Sequence, residues 1–315
     1  MDNKGFTKYL EGKNFSVNTI NSYMAQLYGF FKWIEKEDIQ ITKPDVLRYL
    51  EHLKNSRKTQ NITRQKYLTV VNHYFTFLCQ SEQASQNPCA LLKIRGTKQK
   101  QLHKIYNPEE LDTLFDNYYL LLVRNYENNQ PRYEQLRQQS ILQRERNAVI
   151  LSILVNQGTM TGEINKIELQ DLDLIKATLT IRGGRLGNQR VIPLKATQIG
   201  LFMHYVQNIR PKLLEHHTAE TNKLFVSLPA VGRKTTAKND LMSVFKPLAK
   251  QVKSIDRQFL NFNQVRASII TYWIKTQGLR KAQYLAGHRY IFCTQKYAIN
   301  DLDGLINDIS KAHPY

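Results

Sequence analysis

Near the end of this chain, Leu285-Ala286-Gly287-His288 is followed by Thr294-Gln295-Lys296-Tyr297, so a histidine stands nine residues before a tyrosine. Upstream, Arg266 lies in Asn263-Gln264-Val265-Arg266, at the start of a helical pattern. The three side chains are an imidazole, a phenol and a guanidinium. Between them they can carry a proton near neutral pH, offer a hydroxyl and clamp an anion bidentately. Taken singly, His288 reads as a loop histidine and Tyr297 as one of 17 tyrosines. Their order and spacing gain meaning from the charge around them.

That charge is large. The 315 residues carry 45 Lys and Arg against 26 Asp and Glu, a formal net charge of +19. A surplus of this size calls for a polyanionic partner, and nucleic acid is the commonest one. The charge is also uneven: residues 51–104 hold ten basic residues against two acidic ones. Within that block Lys54, Arg57, Lys58, Arg64, Lys66, Arg95, Lys98 and Lys100 are the candidate nucleic-acid contacts. Cys79, Cys89 and Cys293 have no metal-type spacing and read as reduced thiols. The polar start from Met1 to Lys13 lacks an apolar signal core, and no run is apolar enough to span a bilayer. A cytoplasmic, nucleoid-associated protein is expected, with no membrane partner.

The elements that must position these residues read mainly as helices. Ser16 or Asn18 can cap a helix with Ile20, Tyr23, Leu27, Phe30 and Ile34 at helical spacing. Thr42-Lys43-Pro44-Asp45 opens the next, and Asn61 to Gln80 forms another whose aromatics read as core. Asn87-Pro88 breaks the pattern. The expected organisation is an all-helical unit over 1–94, a basic linker over 95–106 and a second unit over 107–315. Asn107-Pro108-Glu109-Glu110 starts that second unit with a cap, a first-turn proline and first-turn acids. Tyr126 to Arg144 reads as an exposed extension or polar helix, and Arg146 to Val155 as an apolar helix. The period then changes: residues 177–181 and 190–194 flank a glycine-rich turn, which predicts a hairpin. Leu224 to Ser227 reads as a short strand, and Leu302 to Ile309 as a short amphipathic helix. The fold class is mainly α, with a small antiparallel sheet.

With these pieces in order, the chain resembles the tyrosine recombinase (phage integrase) family over nearly its whole length. The resemblance is carried by Leu285-Ala286-Gly287-His288 with Thr294 and Tyr297, by Arg190-Val191-Ile192-Pro193-Leu194, by Gly158 to Glu163, and by the spacing of Ser16, Thr19, Tyr23, Leu27, Phe30 and Trp33. It implies a SAM-like helical core-binding domain, then a catalytic domain that cuts and rejoins double-stranded DNA through a 3′-phosphotyrosine link, for a phage or other mobile element. Tyr297 then stands at the nucleophile, Arg266 at the second arginine and His288 at the later histidine. Three positions depart from the pattern. Met160 stands where the first arginine belongs, Asn263 where a histidine belongs, and Arg185 where the hairpin lysine belongs. Arg185 can neutralise charge, but a guanidinium gives up its proton too reluctantly to act as a general acid. The resemblance also implies self-association on DNA as a tetramer, with Leu302, Leu305, Ile306 and Ile309 on a neighbour or on their own domain. No metal or cofactor is expected. Three readings stay open: a working recombinase with a variant site, a catalytically impaired relative that binds DNA without cutting it, or a basic nucleic-acid or interaction module whose likeness to the family is only architectural. Arg182, Lys166 and Arg190 are the nearby bases that could fill the gap left by Met160.

Overall fold

The computed structural model describes residues 1–96, 105–124, 134–184, 187–218, 220–229 and 241–298. The chain divides into two compact units, Met1–Gln101 and Leu102–Tyr315. Arg185, Lys98, Lys100 and the 302–309 segment lie outside the described residues.

The first unit is helical: α1 (Asn3–Gly12), α2 (Val17–Ile34), α3 (Lys43–Asn55) and α4 (Asn61–Gln80). Ser16, rather than Asn18, caps α2, its hydroxyl accepting from the Thr19 amide at 3.2 Å. On α4, Leu68, Val71, Tyr74, Phe75 and Leu78 are buried, and α4 packs against each of the other three helices. Burying side chains of this size contributes about 1.5–3 kcal/mol each, so α4 anchors the unit. Its aromatics are core, as their helical spacing implies: Tyr74 meets Phe6 edge-on at 5.2 Å.

The second unit begins with α5 (Pro108–Tyr118). Asn107 and Glu110 cap it reciprocally, the Glu110 amide donating to the Asn107 side chain at 2.7 Å and the Asn107 amide to Glu110 at 2.8 Å. Next come α6 (Glu134–Gln157) and the short α7 (Thr161–Ile164). The Glu134–Arg144 part of the polar stretch is thus the first half of α6. Residues 148–151 and 153–155 of α6 are apolar and buried on all sides, which makes it the central helix. A sheet comes next, with β1 (Leu172–Asp173), β2 (Thr178–Ile181) and β3 (Arg190–Pro193) in that order, all antiparallel. The hairpin therefore gains a third strand. After it come α8 (Ala196–His204), α9 (Arg210–Leu214), α10 (Met242–Ile255), α11 (Phe262–Ala286) and α12 (Ile291–Ala298). Leu224–Val226 is buried core and not a strand; the backbone bridge there is made by Lys223 to Glu168. Among the described residues, no helix is long and apolar enough to cross a membrane.

Two backbone features place charged groups in the interior of the second unit. In the sheet, Leu179 pairs with Ile192 and Ile181 with Arg190. The two-residue period puts Leu179, Ile181, Ile192 and Arg190 on the buried side, so an arginine occupies a core-facing position. In α11, Gly278 sits at φ 79°, ψ 165°, outside helical geometry. Twenty residues of straight helix would span about 30 Å. Yet the Arg266 side chain touches the Ala286 carbonyl at 2.7 Å. The turn at Gly278 folds the two arms back on each other, and the positive φ suits a residue without a Cβ.

Candidate active site

A buried arginine on a sheet face needs a counter-ion. Arg190 finds it in Glu163, at the end of α7. Nη1 donates to Oε1 at 2.7 Å and Nη2 to Oε2 at 3.0 Å, a bidentate pair. Glu163 also accepts from the Met160 amide at 2.8 Å, and Arg266 Nη1 lies 3.8 Å from its Oε2. Burial by itself would raise the Glu163 pKa. The Arg190 hydrogen bonds and charge, the Met160 amide and the Arg266 charge outweigh it and hold the carboxyl below its ordinary range.

Arg266 is itself buried, at 4% exposure. Its guanidinium is anchored by two carbonyls, Gly158 at the end of α6 and Ala286 at the end of α11. Burial lowers its pKa, against the raising effects of Glu163 and of the charge and hydrogen bonding of Tyr297. Gly287 caps α11 in the left-handed region at φ 68°, turning the chain so that His288 comes back to Arg266. A Cβ at Gly287 would also sit 2.3 Å from Arg190 Nη1, so the position requires glycine twice over. The hairpin docks on the same turn: the Asn188 amide donates to the Gly287 carbonyl at 2.9 Å, and Gly187 bridges to His288.

His288 Nε2 lies 3.3 Å from Arg266 Nη2, and its Nδ1 lies 2.9 Å from the Thr294 hydroxyl. Arg266 can only donate, so Nε2 accepts and Nδ1 carries the proton. Burial first, then Arg266 and Arg190, push the His288 pKa down to about 4. The imidazole is therefore neutral at physiological pH. Its ring stacks on that of Tyr297, with centroids 5.7 Å apart and planes 12° apart. Tyr297 is half-buried on α12, and the Thr271 hydroxyl donates to its backbone carbonyl at 3.2 Å.

Stability should respond to pH accordingly. His288 takes up its proton in the unfolded chain near pH 6.5 and in the folded chain only near pH 4. Between those values the unfolded state binds more protons. The contribution of His288 to stability is thus fully present above about pH 6.5 and is lost as the pH falls through about 4. Thermal melts across about pH 4–7 are expected to show Tm falling with acidification, with a shallower fall in His288→Gln.

The site thus gathers Arg266, His288 and Tyr297, with Glu163 and Arg190 beneath them. Two guanidiniums less one carboxylate, with His288 neutral, leave one net positive charge, which matches a phosphodiester monoanion. Asn263 lies one helical turn before Arg266 and is exposed. Met160 is 43% exposed, its backbone engaged with Glu163. Of the three bases that could fill the gap it leaves, Arg182 is committed elsewhere, to Asp171 at 3.0 Å and Glu168 at 2.8 Å. Lys166 Nζ lies 3.5 Å from where a Cβ on Gly184 would be, at the hairpin turn. Arg190 alone of the three stands in the centre. Its signal in the sequence is an arginine at an inward position of a β run. Among the described residues, no group of three or more His, Cys, Asp or Glu could hold a metal ion.

In the first unit, Lys54, Arg57 and Lys58 are exposed around the α3–α4 junction, and Lys66 is exposed on α4. Arg64 Nη2 donates to the Asn61 side chain at 2.6 Å. Asn61 in turn donates to the Arg95 carbonyl at 2.9 Å, and the Ile94 amide to Gln65 at 2.9 Å. The structure thus brings Arg64 and Arg95 to the start of α4, beside the junction lysines.

Residues 129–302 match the family model for the phage integrase family, and residues 4–85 match that for the phage integrase N-terminal SAM-like domain. Tyrosine recombinase XerC of Anoxybacillus flavithermus is 27% identical over 100% of this chain and 99% of its own. Tyrosine recombinase XerD of Staphylococcus saprophyticus is 23% identical over 90% and 88%. Among solved structures, the XerH site-specific recombinase bound to a palindromic difH substrate superposes with a TM-score of 0.64 at 18% identity, covering 95% of this chain and 81% of that one. A lambda integrase dimer bound to a COC′ core site gives 0.63 at 12% identity, with 94% of each chain covered.

Proposed function

The chain belongs to the phage integrase family, and on that premise we propose that it is a tyrosine recombinase that cuts and rejoins double-stranded DNA at a specific site through Tyr297. The observation that carries this reading is the convergence of Arg266, His288 and Tyr297 from two arms of a folded-back helix and the helix after it. In the reaction, the Tyr297 hydroxyl loses its proton and attacks the scissile phosphorus, the P–O5′ bond breaks, and the 5′-oxygen leaves as a hydroxyl by taking a proton from solvent, so the strand stays attached as a 3′-phosphotyrosine. Arg266 binds the non-bridging oxygens bidentately. His288, neutral with Nε2 as acceptor, can take the phenolic proton. Glu163 and Arg190 act through Arg266 and position it. Arg185 and Asn263 belong to the same proposal, as a neutralising cation and an amide donor. The first unit, with Lys54, Arg57, Lys58, Arg64, Lys66, Arg95, Lys98 and Lys100, is the core-binding domain that holds the duplex backbone. Protomers assemble on DNA as a tetramer, in the service of a mobile element, within the nucleoid.

The test is a covalent adduct. A duplex site selected from a randomised pool is nicked next to the cut position, so that cleavage releases a short fragment and traps the intermediate. A denaturation-resistant protein–DNA band whose phosphopeptide maps to Tyr297 supports the reading. Absence of the band on a tightly bound site sinks it.

Met160 and Asn263 favour the second reading, DNA binding without cutting. Losing one positioned donor to a developing oxyanion typically costs about 10²–10³ in rate. Met160→Arg is therefore expected to raise single-turnover cleavage on the nicked substrate by about that factor. An unchanged rate would mean that this position no longer limits the chemistry.

A further inference from the structure

The turn between α11 and α12 carries two aromatic rings that the catalytic cluster does not use. Tyr290 and Phe292 are each 52% exposed and take no part in the core of the second unit. They stack on one another, with centroids 5.5 Å apart and planes 17° apart. The Arg289 guanidinium lies 6.0 Å from the Tyr290 ring centre, and the Lys296 ammonium 5.4 Å from that of Phe292. Two cations thus stand beside the half-exposed ring pair. The turn itself is held: the His288 amide donates to the Gln283 carbonyl at 3.1 Å, the Gln283 side chain to the His288 carbonyl at 3.1 Å, and the Cys293 amide to the Tyr290 carbonyl at 3.1 Å. Phe292 and Lys296 form one i, i+4 stripe of α12, directly beside the Cys293–Tyr297 stripe.

Exposed rings on a fixed turn leave apolar surface in water with no core to gain from it, which marks an interaction site. The two cations beside the rings argue against an apolar protein partner, because covering them would desolvate two charges. The same combination suits nucleic acid: rings stack on bases and the cations take phosphates. Paired bases offer no free face, whereas an unpaired base does. We infer that Tyr290 and Phe292, flanked by Arg289 and Lys296, stack an unpaired nucleobase of the strand end set free when the strand is cut at Tyr297. The inference rests on the DNA-cutting reading of the site. Its consequence is that the freed end stays beside the phosphotyrosine for rejoining.

Stacking is tolerant of sequence, so a generic probe serves. Fluorescence anisotropy would compare binding of octathymidylate and of a duplex of about 20 base pairs at one ionic strength, for the full chain and for Tyr290→Leu/Phe292→Leu. Leucine keeps apolar bulk without a π-face. The double variant is expected to bind octathymidylate about tenfold or more weakly while duplex affinity stays within about twofold. Phe292→Trp is expected to keep wild-type affinity and to lose indole emission on binding. Circular dichroism and melting confirm that the variants fold. Equal losses on both probes, or octathymidylate binding indifferent to the double variant, overturn this inference alone. Failure of the wild-type chain to bind either probe overturns the DNA reading with it. A change in self-association of the double variant without DNA, seen by sedimentation, makes the pair a protein interface and also overturns the inference.

Discussion

Exchanging Tyr297 for phenylalanine is expected to erase the covalent protein–DNA species completely while leaving duplex affinity within about twofold. The substitution removes one oxygen. The ring that stacks on His288 remains, and the Thr271 hydrogen bond goes to the backbone carbonyl, which is unchanged. Arg266 stays fixed by the Gly158 and Ala286 carbonyls. The hydroxyl's own contact is its hydrogen bond with Arg266, whose two carbonyl anchors remain without it, so its loss reads out chemistry. The measurement is the denaturing gel of the nicked-substrate reaction, run beside an equilibrium binding titration. A residual adduct in Tyr297→Phe would mean that another side chain is the nucleophile.

Replacing Arg190 by leucine is expected to cost about 3–5 kcal/mol of stability, because it strands the Glu163 carboxylate in the interior without its bidentate partner. The free carboxylate then has Arg266, 3.8 Å away, as its nearest cation. That would draw the guanidinium from the phosphate and remove cleavage as well. The double variant Arg190→Leu/Glu163→Leu removes both charges, and its stability is expected to recover most of the loss. Urea melts of the two single variants and the double give the coupling between the sites directly. If Arg190→Leu costs no more than an ordinary surface change, the pair does not organise the site.

These two results separate parts of the molecule that differ in how readily they show in a sequence. Tyr297, His288 and Arg266 are legible only together, through their order and spacing and the family resemblance these carry, since each taken singly is an ordinary residue. The helical class is legible because the 3.6-residue spacing of apolar positions in α2 and α4 is a local property. The hairpin is legible from its change of period, but its third strand, Leu172–Asp173, is two residues long and too short to show one.

Local signals along the chain thus indicate the type of each helix and the order of the elements, and the family resemblance marks Tyr297, His288 and Arg266. Which charges meet is settled only by folding. Arg182, Lys166 and Arg190 are equivalent as letters. Their roles are set by sheet register and by contacts between residues far apart in the chain. Register turned Arg190 inward onto Glu163, 27 residues away. The turn at Gly278 brought Ala286 and His288 back to Arg266 across 20 and 22 residues. A side chain's charge state and partner depend on burial and distance, and neither is a property of its neighbours along the chain. The tyrosine is marked in the sequence by the family pattern around it, whereas the cluster beneath it, with Arg190 holding Glu163 and Arg266 fixed by two carbonyls, exists only in the folded chain.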